Sequence, residues 1–165
     1  MSNYSYNEKS GRYRIENAEI WYPNFSGVES QFNQTGKRTF KVAINEELAG
    51  ELQDQGIYVS ELRRRDDTEP QRYTVKIGVY ANSEMYLVSG RVQKPLTIEN
   101  CGEIDREFRN GYVRNGEVDL KFHVSVNSRI NPPKPYLRLD AIYLPIEKDE
   151  QAEKYADYDV VDRLP

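Results

Sequence analysis

One cysteine and one histidine among 165 residues remove several kinds of chemistry before any motif is read. Cys101 alone closes no disulfide within the chain and builds no cysteine-based metal site, and its isolation suits a reducing cytosol. His123 lies in a stretch of alternating apolar residues, with no nucleophile elbow or Cys–His signature to serve as its catalytic partner. Glycine-rich phosphate loops of the GxGxxG or GxxxxGK[ST] type are absent. No apolar run approaches the roughly 18 residues of a membrane span. The first twenty residues lack the apolar centre of a secretory leader. A cytoplasmic location, without a membrane, is the expectation.

What the chain does have is charge and aromatic rings. Charged residues make up 30% of it and its mean hydropathy is -0.84, yet it carries 13 Tyr, 5 Phe and 1 Trp. Disordered chains are poor in aromatics, so most of this one should fold. At this length a single domain with an adequate core is expected. The net charge of -4 is unevenly spread. Residues 147–165 hold seven of the 27 acids and three of the 23 bases, leaving 20 of each in the first 146 residues. We therefore expect a flexible N-terminus over 1–11, a domain over 12–146 and an acidic tail over 147–165.

Periodicity predicts a mainly β domain. Residues 12–25 contain a strand closed by Pro23, and the Ser-, Gly- and Asn-rich stretch to Arg38 reads as a loop. In TFKVAI, Phe40, Val42 and Ile44 share one face while Lys41 falls on the other. Asn45 is placed to cap a short helix with Leu48 and Leu52 on one side, ended by Gly56. IYVSEL predicts another strand. RYTVKIGVY alternates cleanly, with Lys76 and Tyr80 opposite Val75 and Ile77, and it is expected to form a hairpin with EMYLVSGR across Asn82-Ser83. A short helix is expected within 98–108. Strands are expected again in EVDLKFHVSVN and YLRLDAIYLPI, giving about seven strands and one or two short helices, without a βαβ rhythm.

Two patterns bear on function. The carboxylate pairs Asp66-Asp67 and Glu103/Asp105 could in principle hold Mg²⁺, but acidic pairs in charged loops are usually solvated, and no metal or cofactor is expected. The outward faces of the clearest strands carry Lys41, Lys76, Tyr80, Lys121 and His123. Loop cations flank them: Lys37, Arg38, Arg63, Arg64, Arg65, Arg72, Arg91 and Lys94. Cations that track a backbone and rings on which bases stack are what a protein offers a single nucleic-acid strand. Outward lysines also serve simply to keep a sheet soluble, so a structural or protein-interaction β module and a metal-dependent nuclease stay open as alternatives.

Residues 24–44, NFSGVESQFNQTGKRTFKVAI, resemble the signature stretch of phage single-stranded DNA-binding proteins through Asn24, Phe25, Ser26, Gly27, Phe32, Asn33, Gly36, Arg38 and Phe40. The segments at 45–80 and 136–159 resemble the same family's helix, charged turn, long strand, closing strand and acidic exit. The approach to the last strand, SRINPPKP, departs from the pattern by lacking a glycine hairpin, and the terminus ends Asp162-Arg163-Leu164-Pro165 instead of acid-acid-aromatic. The resemblance implies an OB-fold-like five-stranded barrel with extra strands. It further implies sequence-tolerant, non-enzymatic binding of single-stranded DNA in phage replication or recombination, in the host cytoplasm. Residues 24–38 would then be the loop between the first two OB strands. Lys37, Arg38, Lys41, Arg72 and Lys76 would clamp phosphates, with Arg63, Arg64 and Arg65 nearby, and Phe25, Phe32, Tyr80 and Tyr86 would stack bases. The tail would meet replication or recombination proteins, and a homodimer is one option for assembly.

Overall fold

The computed structural model describes residues 3–29, 36–64 and 66–147. The acidic segment beyond Glu147 lies outside the described residues. The elements follow as β1 (Tyr4–Asn7), β2 (Arg12–Ala18), β3 (Ile20–Asn24), β4 (Thr39–Ile44), α1 (Glu46–Asp54), β5 (Ser60–Leu62), β6 (Arg72–Gly78), β7 (Glu84–Ser89), β8 (Val92–Leu96), α2 (Gly102–Arg109), β9 (Val118–Asn127) and β10 (Lys134–Pro145). Paired strands run β1-β2-β9-β10-β6-β4-β3. β5 is added to β6, and a β7–β8 hairpin attaches to β10 through β7. The chain is thus mainly β, as its alternating patterns predict.

β2 and β3 are one run of chain interrupted only by Glu19, yet β2 pairs with β9 and β3 with β4. The change of partner needs a bend. Asn17 supplies it with a φ of 54°, a conformation asparagine tolerates better than most residues. Asn115 fixes the exit: its side chain accepts from the Ile20 N–H at 2.7 Å and donates to the Ile20 carbonyl at 2.9 Å. The core gathers the inward residues of every long strand, among them Ile15, Phe40, Ile77, Phe122 and Ile142. Each such side chain contributes on the order of 1.5–3 kcal/mol by leaving water.

The two helices sit against different strands. Asn45 caps α1, its Oδ1 accepting from the Leu48 N–H at 2.9 Å, and Leu48, Ala49 and Leu52 turn inward. The end of α1 is tied to β2 where the Gln55 amide donates to the Tyr13 hydroxyl at 2.7 Å. α2 forms despite Gly102, which stands at its first position, where helix propensity matters least. Its Asp105 is buried and accepts from the backbone N–H groups of Phe25 and Ser26, both at 2.9 Å. The Cys101 thiol donates to the Phe25 carbonyl at 3.0 Å. The start of the 25–38 loop is therefore pinned by α2.

Three expectations are corrected, and one strand was missed. Residues 4–7, expected to be part of a flexible lead-in, pair with β2. Tyr6 lies 4.6 Å from the Tyr13 ring and Gly11 turns the chain back with a φ of 69°. Only 60–62 of the expected 57–62 strand is extended in a ladder. β6 and β7 do not form a hairpin. Buried Ser83 accepts from the Tyr80 N–H and donates to the Leu139 carbonyl at 2.7 Å, which swings the chain onto β10. There β7 pairs in parallel with Ala141–Pro145, and its hairpin partner is β8, a strand that mixed polarity hid in the sequence.

The same turn lays the Tyr80 ring over Gly78, where an added Cβ would come within 2.8 Å of Tyr80 Cε2. Two outcomes follow. Asp105→Ala leaves two backbone donors without their acceptor and should cost about 2–4 kcal/mol in urea unfolding; a loss below about 0.5 kcal/mol would contradict the pinning. Gly78→Ala should keep the fold but push the Tyr80 ring aside, read in NMR as loss of its ring-current shift on the Arg138 guanidinium protons.

Candidate nucleic-acid interface

Strand register gathers the outward side chains into rows. Trp21, Lys41 and Lys76 are successive partners across β3, β4 and β6. One step along lies the row Asn24, Thr39, Gly78, Arg138, His123 and Arg12, across β3, β4, β6, β10, β9 and β2. Lys41 and Lys76 stand directly opposite one another, and neither has an acidic partner among the described residues. Like charges so placed destabilise a sheet by a few tenths to about 1 kcal/mol.

Tyr80 and Arg138 form the next feature. The guanidinium carbon lies 4.1 Å from the ring centroid, and Arg138 Nη2 donates to Asn82 Oδ1 at 3.2 Å. Such cation–π stacking fixes a flexible arginine in one plane. Tyr136 stands 6.2 Å from Tyr80, ring to ring, so two tyrosines and an arginine adjoin the lysine pair. Burial holds the Tyr80 hydroxyl above its ordinary pKa, so it stays a neutral donor.

The expected residues are thus unequally placed. Lys41, Lys76 and Tyr80 share one face. Lys37 is exposed at the entry to β4. Arg38 is half-buried and turns in toward the Cys101 thiol, which nonetheless stays above its ordinary pKa because it is buried. Phe25 is corrected as a stacking residue: it is fully buried and spends a ring face on Phe40, 5.2 Å away, so it belongs to the core. Arg72 is on Lys76's face of β6 but about 13 Å along it. It is paired with Glu19 at 2.9 Å, in a cavity of about 600 Å³ also lined by Glu46 and Glu47. Exposed Arg63 and Arg64 follow β5 at that same far end, with Arg64 4.0 Å from Asp67. Tyr86 lies on β7, stacked on Tyr143 at 5.0 Å, away from the lysine pair. Phe32 and Arg65 lie outside the described residues.

Arg138, Tyr136 and Trp21 were missed by the sequence reading. Alternation in YLRLD, with Leu137 and Leu139 buried, puts Tyr136 and Arg138 outward together, and that signal was available. What the sequence could not give was the parallel neighbour, Gly78, that brings them to Tyr80.

The carboxylate pairs have other work. Asp66 accepts from the Thr68 N–H and hydroxyl, and the hydroxyl bond lowers its pKa. Glu103 accepts from Lys94 at 2.9 Å, and Asp105 is spent on the loop backbone. Among the described residues no cluster of three or more His, Cys, Asp or Glu could hold a metal. His123 is no isolated surface residue: Nδ1 meets Asp140 at 2.8 Å and Nε2 meets Ser125 at 3.1 Å. Asp140 also faces Arg12 at 3.5 Å, which makes the group a cross-strand polar network on the open sheet face. No described helix is long and apolar enough to cross a membrane.

No curated protein matches the sequence. The fold resembles that of the single-stranded DNA-binding protein from bacteriophage Enc34 in its C-terminally truncated form, with a TM-score of 0.55 at 9% identity over 90% of this chain and 92% of that one. The same phage protein in complex with ssDNA gives a TM-score of 0.54 at 8% identity, over 90% and 93%. At such identity the likeness speaks for the fold alone. The family model described as "Putative phage ssDNA-binding domain" matches residues 2–99, more than half of the sequence. The chain belongs to this family of phage single-stranded DNA-binding domains.

Proposed function

We propose that the protein is a non-enzymatic, sequence-tolerant single-stranded DNA-binding protein that works in phage replication or recombination in the host cytoplasm, on an OB-type barrel. The observation that carries this is the Lys41–Lys76 pair, two cations held side by side at a cost to the fold and without an acid to offset it. A phosphate between them turns that repulsion into attraction. Beside them the Tyr80–Arg138 stack and Tyr136 offer planar surfaces, since bases stack on guanidinium planes as well as on rings. Contacts of this kind read π-faces and phosphates, which every base shares, and so carry little sequence preference.

The pairing path supports a barrel. β2 and β3, continuous through Glu19, would close it as one bent first strand, with β4, β6, β9 and β10 as strands two to five. In OB folds, nucleic acid lies on the face of strands two and three, between the loops L12 and L45. Here that face would be β4 and β6, with residues 25–29 and 36–38 on the L12 side and 128–133 as L45. Lys37 enters at the L12 side. Arg63, Arg64 and Arg72 stand at the far end and are not needed by this path.

Trp21, the single tryptophan and the register partner of Lys41, should report occupancy. Titration with oligo-dT should change its emission, and affinity should fall with salt as bound phosphates release counterions. Lys41→Glu with Lys76→Glu should weaken binding at least tenfold and shrink the log–log salt slope by about 1.4, two phosphates at roughly 0.7 each. A wild-type protein whose emission and anisotropy ignore oligo-dT would end this proposal. Cleavage of the labelled strand in Mg²⁺ would end its non-enzymatic part.

A further inference from the structure

Beyond Arg138 the outward face continues over β9, β2 and the C-terminal half of β10, and it carries the same two ingredients again. Arg14 and Lys121 are register partners, and Lys121 is exposed, with no acidic partner among the described residues. Next to them Tyr143 lines a shallow groove of about 150 Å³ with Arg14, Asp119, Leu120 and Lys121. On the side toward β7 it is stacked on Tyr86, the two rings within 9° of parallel. A ring backed by a second ring on one side and opening onto a cationic groove on the other has the form of a base platform.

Register joins this tract to the lysine pair. Gly78, Arg138, His123 and Arg12 follow one another across β6, β10, β9 and β2, three strand spacings or about 14 Å. The acids along the way are largely engaged. Asp140 faces His123 and Arg12, Glu16 pairs with Arg14 at 3.4 Å, and Asp119 accepts from the Asn17 N–H. Arg12 and Arg14 are exposed, and the Arg14–Glu16 pair is at the surface, where solvent makes exchange for a phosphate cheap, whereas the Asp140 that faces Arg12 is largely buried.

We infer that a bound single strand does not end at Arg138. It runs on across the Arg138–His123–Arg12 row to a second tract, where Arg12, Arg14 and Lys121 meet phosphates and Tyr143, backed by Tyr86, takes a base. This rests on the single-stranded DNA proposal and extends it to a site that wraps around the domain. Asp140 then acts as a brake, because its carboxylate sits among the cations that the second stretch of DNA must reach.

The test is anisotropy titration of the full chain with labelled oligo-dT of increasing length. Wild-type affinity should climb beyond the length that saturates the lysine face. Arg12→Ala with Lys121→Ala should match wild type on the shortest oligonucleotides bound and lose five- to tenfold on the longest, with a salt slope smaller by about 1.4 on those alone. Tyr143→Leu should lose affinity on long strands with the slope unchanged. Asp140→Asn should bind long strands more tightly, a gain that misfolding cannot imitate. Variants equal to wild type at every length, or weakened equally at every length, would overturn the second tract while leaving the first. A wild type that binds no oligonucleotide would overturn both.

Discussion

The outward face of this protein depends on one irregularity in β10. That strand is twelve residues long and changes neighbours along its length, from β6 at Arg138 to β7 beyond Ala141, with β9 along its other side. Between Leu139 and Ala141 the register with β9 shifts. A bulge reverses the alternation of a strand. Before it Tyr136, Arg138 and Asp140 face out while Leu137 and Leu139 are buried; after it Ile142 and Leu144 are buried and Tyr143 faces out. Without the shift, strict alternation would turn Ile142 and Leu144 to solvent. The demand to bury them fixes the bulge, and the bulge turns Tyr143 to the face that carries Arg138 and Lys121.

A second constraint comes from where the core lends its polar groups. Asp105 and Cys101 of the α2 region bind the backbone at Phe25 and Ser26, so the loop leading to β4 starts from a rigid point. Ser83 does the same for the turn that carries Tyr80. In both places a buried acceptor or hydroxyl satisfies main-chain groups that would otherwise be stranded, and the outward face inherits that order. The lysine pair, by contrast, is left as like charges in register above the hydrophobic core.

Much of the fold was legible in the residues. The alternation at 39–44, 72–78 and 118–127 and the Asn45 cap are read directly, because burial of one strand face and capping of one helix are local demands. β8 and the β1–β2 pairing were not legible. VQKPL is exposed almost throughout, and the N-terminal strand gains its place from Tyr6 against Tyr13 across a polar hairpin and from the Tyr4 hydroxyl donating to Glu51, a contact distant in sequence. Phe25 shows the ambiguity of an aromatic residue: the same ring suits a base or a core, and only the position of Phe40 decides.

By itself the sequence determined the chemistry at hand: which strands carry cations outward, that one thiol and one imidazole are all the chain has, and that its net negative charge falls beyond residue 146. Local periodicity suffices for that, since a side chain's face follows from its neighbours two residues away. Tertiary structure alone decided which cations lie together. Lys76, Tyr80 and Arg138 meet because a parallel contact at Gly78 joins strands sixty residues apart, while Arg72, on the same strand face as Lys76, is claimed by Glu19. Pairing between strands is set by burial of the whole sheet, and no window of sequence contains it.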